Sequence, residues 1–178
     1  MQIFTVGHST RSSEELCELL SKYQVTALAD VRRFPYSSRN PQFNKEPIET
    51  ALSKHGVRYL WIEKLGGRRN GIGASSKNSC WKNESFRNYA DYMETEEFLE
   101  GSEELLGFAR TEAAAIMCAE AMYWRCHRVM ISDFLKSKGV DVTHILDAAH
   151  LKEHEYSQCA RIFRGNLTYH DTQTNLDD

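Results

Sequence analysis

Apolar positions along this chain follow two rhythms. Short apolar, β-branched runs at residues 2–6, 25–29, 57–62, 113–119 and 140–146 predict buried strands. Between them, apolar residues return every three or four positions. Leu16, Leu19, Leu20 and Tyr23 follow Ser12-Ser13-Glu14-Glu15, an N-cap with first-turn acids. Residues 46–55 read as a helix with Pro47 in its first turn and Gly56 past its end. Residues 84–93, 96–109 (with Thr95 as cap) and 127–138 (stopping at Gly139) predict three more helices. Two stretches have no period: RRFPYSSRNPQFNK, with two prolines, and LGGRRNGIGASSKNSCWKN, with four glycines, both expected as surface loops. Near the end, residues 159–163 and 166–169 flank Gly165-Asn166, a hairpin turn at the sheet edge. Strands alternating with helices predict an α/β fold: one domain over residues 1–170, a mainly parallel sheet flanked by helices (Rossmann-like), and a C-terminal edge hairpin. Residues 171–178 are expected as a flexible tail.

Composition narrows the class. Of 178 residues, 41% are hydrophobic and 26% charged, with three prolines, which excludes a disordered or low-complexity chain. No apolar run reaches the roughly 18 residues of a membrane span, so no membrane partner is expected. MQIFTVGHST has neither a basic n-region nor an apolar h-region, which argues against a leader and for a cytoplasmic protein. Five cysteines without a short, even-numbered framework fit a reduced protein. Charge is lopsided: residues 30–80 carry ten Lys/Arg against four Asp/Glu, while residues 91–104 carry seven acids and no base. The basic region can meet an anion; the acidic one repels it.

In an open parallel sheet, ligands bind beyond the carboxyl ends of the strands. Those ends carry Gly7-His8-Ser9, Asp30-Val31-Arg32-Arg33 and Cys118-Ala119-Glu120, and the next helix opens with Cys126-His127-Arg128. Asp30 and Glu120 are candidate catalytic carboxylates, able together to activate water, donate a proton or stabilise a cationic transition state. Their plain alternative is helix capping or arginine pairing. His8 and Cys126 complete the catalytic candidates. Cys126 lies between Arg125 and Arg128 at a helix start, where dipole and cations favour a thiolate. Adjacent helix residues do not face one another, which argues against a Cys126–His127 relay. Cys118 and Cys126 are eight positions apart with no second pair, which argues against zinc; neither metal nor cofactor is expected. Ser9, Arg32, Arg33, Arg68 and Arg128 are candidate phosphate or nucleic-acid contacts. Gly7-His8-Ser9-Thr10 could hold an anion on its N–H groups but has no G-x-G-x-x-G pattern or Walker lysine. Phe34, Tyr123 and Trp124 are candidates for base stacking.

These strings, DVRRFPYSSRNPQFNK, LGGRR, FRNYADYMETEEF, MCAEAMYWRCHRVMISDFL and GVDVTHIL, taken in order, resemble the family catalogued as domain of unknown function 488 (DUF488) over nearly the whole chain. The resemblance implies a compact α/β domain of bacteria or archaea and names no activity. The family's polar motifs match at Gly7-His8-Ser9, Asp30-Arg32-Arg33, Asn40-Pro41, Phe43-Asn44, Gly66-Gly67-Arg68, Cys118-Glu120 and Cys126-His127-Arg128, which adds Asn40 and Asn44 to the binding candidates. A fainter likeness is to rhodanese-type sulfurtransferases, from which the single residue between Cys126 and Arg128 departs. The expected function is an enzyme acting on a nucleotide or nucleic acid, breaking an N-glycosidic bond with Asp30 and Glu120. The alternatives are a cysteine-dependent phosphatase or sulfurtransferase using Cys126 or Cys118, and a non-catalytic nucleic-acid-binding module.

Overall fold

Local signals set where the helices begin. Ser12 Oγ accepts from the Glu15 N–H while the Glu15 carboxylate accepts from the Ser12 N–H, closing a capping box that starts α1 (Ser13–Lys22). Thr95 caps α4 (Glu96–Ala109) and Asn83 caps α3 (Glu84–Met93) through their side-chain oxygens. With α2 (Lys45–Lys54) and α5 (Arg128–Ser137), these are the five expected helices, seen in a computed structural model that describes residues 1–170. The expected tail, residues 171–178, lies outside the described residues.

The strands β1 (Gln2–Gly7), β2 (Ala27–Asp30), β3 (Arg58–Trp61), β4 (Ala114–Cys118) and β5 (Asp141–Ile145) pair in parallel, in the order β3-β2-β4-β1-β5. Strand parity divides the core. Ala114, Ile116 and Cys118 of β4 join Tyr89, Phe98, Leu105, Met130 and Leu135 of α3, α4 and α5 on one face. Ala115 and Met117 join Leu16, Leu20, Ile48 and Leu52 of α1 and α2 on the other. Both faces are covered, so the central strands read as unbroken apolar runs.

This strand order fixes the site. After β1 the chain leaves toward β2 and β3 over the α1–α2 face. After β4 it leaves toward β5 over the opposite face. The neighbours β1 and β4 therefore part company at their carboxyl ends, opening a crevice between Gly7 and its register partner Cys118. A Cβ on Gly7 would lie 1.9 Å from the Glu120 carbonyl oxygen, so the two chain ends can touch only with glycine there.

Three features depart from expectation. The sheet edge is formed by β6 (Leu151–Glu153), antiparallel to β5. All three of its residues are exposed, so its sequence carries no apolar run to read. The C-terminal hairpin, β7 (Arg161–Phe163) and β8 (Asn166–Thr168), forms a separate two-stranded sheet. Its turn is Arg164-Gly165, both at positive φ, one residue earlier than expected. Finally, Cys80 and Cys159 form a disulfide that ties the loop before α3 to the segment before β7, correcting the expectation of wholly reduced cysteines. The two lie 79 residues apart, so spacing gave no sign of the pair. Among the described residues, no helix is long and apolar enough to cross a membrane.

Candidate active site

At the crevice lies a cleft of about 730 Å³, lined from three strand ends and two loops. His8 and Ser9 follow β1, Arg32, Arg33 and Phe34 follow β2, and Cys118 and Glu120 come from the end of β4. Arg68, from the glycine-rich loop, and Arg125, Cys126 and His127, before α5, close the other side. Ser9 (φ 50°) and Arg68 (φ 57°) both hold left-handed backbone there. Non-glycine residues avoid that region by about 1 kcal/mol unless the surroundings enforce it.

Asp30 does not face the cleft. It is fully buried, and its carboxylate accepts from the Arg32 N–H, from Arg32 Nε and Nη2, and from Tyr59 Oη at 2.8 Å. The structure thus corrects the role expected of it: a carboxylate whose lone pairs are all engaged positions an arginine and activates no water. Arg32 is held further by the Phe43 carbonyl at 2.7 Å.

His8 belongs to the same packed unit. Its ring stacks on Phe43 with centroids 4.1 Å apart. Nδ1 lies 2.9 Å from the Ser9 carbonyl and must donate to it, which leaves the lone pair on Nε2 to accept from Arg32 Nη1 at 3.3 Å. Burial lowers its pKa to about 4, so the ring is neutral near pH 7. It acts as a fixed acceptor rather than a proton shuttle.

Beyond Arg32 the cations are unpaired. Arg33, Arg68 and Arg125 form no ion pair among the described residues. Arg33 Nη1 donates to the Arg68 carbonyl at 3.0 Å, while Arg33 Nε is buried and has no hydrogen-bond partner. Phe34 and Tyr36, 60% and 74% exposed, stand beside these cations. Asn40 also lines the cleft. Asn44 instead accepts from the Ser37 N–H and lines a neighbouring cleft of about 460 Å³ with Lys45 and Trp61.

Two of the expected stacking residues are placed elsewhere. Tyr123 is buried, its ring lying flat on His144 at 3.4 Å, so that face is already taken. Trp124 is half exposed but does not line the cleft, and it meets Tyr123 edge-on. Tyr36, one of the aromatics interleaved with the basic residues of the loop after β2, and Arg125, the neighbour of Cys126, join the cleft lining beyond the residues singled out from the sequence.

The sulfur side of the cleft is more organised than spacing suggested. The Sγ atoms of Cys118 and Cys126 and a ring nitrogen of His127 lie within 4.8 Å of one another. Cys126 Sγ accepts from Arg128 Nε at 3.2 Å and from the Arg128 N–H at 3.4 Å. Arg128 is 1% exposed; its guanidinium also donates to the Glu120 and Ala121 carbonyls, so it binds backbone and sulfur rather than an incoming phosphate. The thiol expected to ionise readily was Cys126, but burial and Cys118 push it up. Cys118 takes the lowered value, about 7, because Cys126 donates to it and Arg128 is near. His127 Nε2 donates to the Val31 carbonyl at 2.7 Å.

A family described as "Domain of unknown function DUF488" matches residues 12–135 of the chain. No curated protein and no solved structure matches it.

Proposed function

The chain belongs to the DUF488 family, and from that premise we propose that its cleft binds a nucleotide or nucleic-acid phosphate and hydrolyses the N-glycosidic bond beside it. The observation that carries this reading is the buried Arg33 Nε, unpartnered, in a cleft whose wall also carries Arg68 and Arg125, neither of them ion-paired among the described residues. A buried guanidinium N–H costs free energy until an acceptor arrives, and a phosphate oxygen supplies one with the matching charge.

Phe34 and Tyr36 offer exposed ring faces next to those cations, where a base can stack. A ligand with its phosphate on the arginines and its base on the rings holds its sugar between them. Glu120 is the carboxylate exposed along the cleft wall. Beside a sugar it stabilises the positive charge that develops at C1′ as the bond to the base breaks, and it takes a proton from the attacking water. The water oxygen bonds to C1′, and the base leaves with the proton. The anionic oxygens of a phosphoryl centre would repel this carboxylate, whereas the cation developing at C1′ attracts it, which favours the glycosidic bond. With Asp30 enclosed, Glu120 acts alone.

The test is a panel of nucleoside monophosphates and short single-stranded oligonucleotides, assayed for binding by calorimetry and for free base by chromatography. Binding that falls at least tenfold in Arg33→Ala, with base release lost in Glu120→Gln, is the expected result. Release that survives undiminished in Glu120→Gln overturns the mechanism, and an affinity unaffected by Arg33→Ala overturns the site.

A further inference from the structure

We propose that Cys118, Cys126 and His127 form a binding site for a soft divalent cation of the zinc class, its fourth position opening into the cleft. The inference goes beyond the nucleotide reading and does not depend on it. It begins with the backbone. Cys118 ends β4, and the loop over residues 119–126 folds back so that Cys126 and His127 return beside it before α5 starts. Sequence spacing of eight between the cysteines argued against a site, but that rule assumes a ligand pair on one short turn. Here the two sulfurs come from a strand end and a helix start that the sheet brings together.

The donor set fits. Two thiolates and one imidazole are soft to borderline ligands, suited to zinc and poorly suited to magnesium or calcium. Tetrahedral bonds of about 2.3 Å to sulfur and 2.0 Å to nitrogen put donor atoms about 3.4–3.8 Å apart. The three atoms lie within 4.8 Å already, so closure of about 1 Å completes the geometry.

The surroundings are those of a ligand set. A carbonyl oxygen accepts only, so His127 Nε2 carries the proton and Nδ1 keeps the lone pair. This second hydrogen bond is the one that orients metal-binding histidines elsewhere. Nδ1 faces Gly67 on the cleft wall, where a Cβ would stand 2.9 Å from it; glycine leaves the approach open. On the other side, Arg128 is a nearly inaccessible cation with no carboxylate within ion-pair distance among the described residues. Its N–H and Nε both donate to the sulfur of Cys126, and its Nη2 to the Glu120 and Ala121 carbonyls, which fixes that sulfur in place beside Cys118. With both sulfurs ionised the metal cluster is neutral, and Arg128 biases the fourth position toward an anionic ligand such as hydroxide.

Cobalt(II) alone is the probe, titrated into the whole chain under a non-thiol reductant. One equivalent should give a thiolate-to-cobalt charge-transfer band with intense tetrahedral d–d bands, displaced by zinc. Cys118→Ser and Cys126→Ser should each abolish the band, while Cys80→Ser should keep it. Because loss of a buried thiol can unfold the protein, Gly67→Ala is the second variant. It removes no donor and should weaken cobalt at least tenfold with an unchanged circular dichroism spectrum. Absence of the band in the unaltered chain, its persistence in Cys118→Ser, or an unchanged affinity in Gly67→Ala overturns the site. Failure of nucleotide binding would leave the cobalt spectrum in place, so the two readings fail separately.

Discussion

Asp30 and Glu120 looked alike in the sequence, each an acid at a strand end, and they separate once their partners are known. Asp30 meets four donors in a fully buried setting. Removing its charge leaves Arg32 buried and unpaired, so Asp30→Asn should cost about 3–5 kcal/mol of stability, read as a fall in urea midpoint. Glu120→Gln, at an exposed position, should stay within about 0.5 kcal/mol of the parent while removing turnover. If the two variants exchange these behaviours, the assignment of roles is wrong. Arg125 lies outside residues 30–80, whereas Arg33 and Arg68 were legible from the density of positive charge in that stretch. The enclosure of Asp30 was not, because Tyr59 reaches it from the adjacent strand and nothing in the sequence sets that distance.

Helices and strands were legible to different degrees. Each helix began at or within two residues of its expected start because caps and periodicity act locally. Ser12→Ala removes one half of the α1 capping box and should lower stability by about 1 kcal/mol without altering ligand affinity; thermal melts with and without nucleotide check both halves. Strand order was not legible, since parallel pairing is set by crossovers far apart in sequence. Neither was β6, whose exposed Leu-Lys-Glu has nothing to alternate. The Cys118–Cys126–His127 cluster follows from that order: once β4 stands beside β1, the loop after it has to fold over the Gly7 end.

At the scale of the molecule, acid and redox conditions should both matter. His8 keeps its proton off down to about pH 4, whereas an unperturbed histidine takes one up near 6.5. Burial lowers His144 still further, to about 2. The unfolded chain therefore binds protons that the native chain refuses. Their contribution to stability is intact above pH 6.5 and is lost as pH falls from 6.5 through 4, on the order of 3 kcal/mol for His8 alone. Melting temperature should fall as pH drops below 6.5; a flat profile between 6.5 and 4.5 contradicts this. Opening the Cys80–Cys159 bridge, which closes a loop of 79 residues, should lower stability by up to about 4 kcal/mol. Equilibrium unfolding of a Cys80→Ser, Cys159→Ser chain measures it.

The position of β1 also bears on how the protein is made. Ile3 pairs with Ala114 on one side and Val142 on the other. A chain emerging from the ribosome thus presents an apolar segment whose two neighbours have yet to be synthesised. Hairpins and helices can form meanwhile, but the centre of the sheet waits for distant residues, which slows folding and prolongs exposure of that segment. The nascent chain, rather than the finished one, is where this architecture is most vulnerable to aggregation.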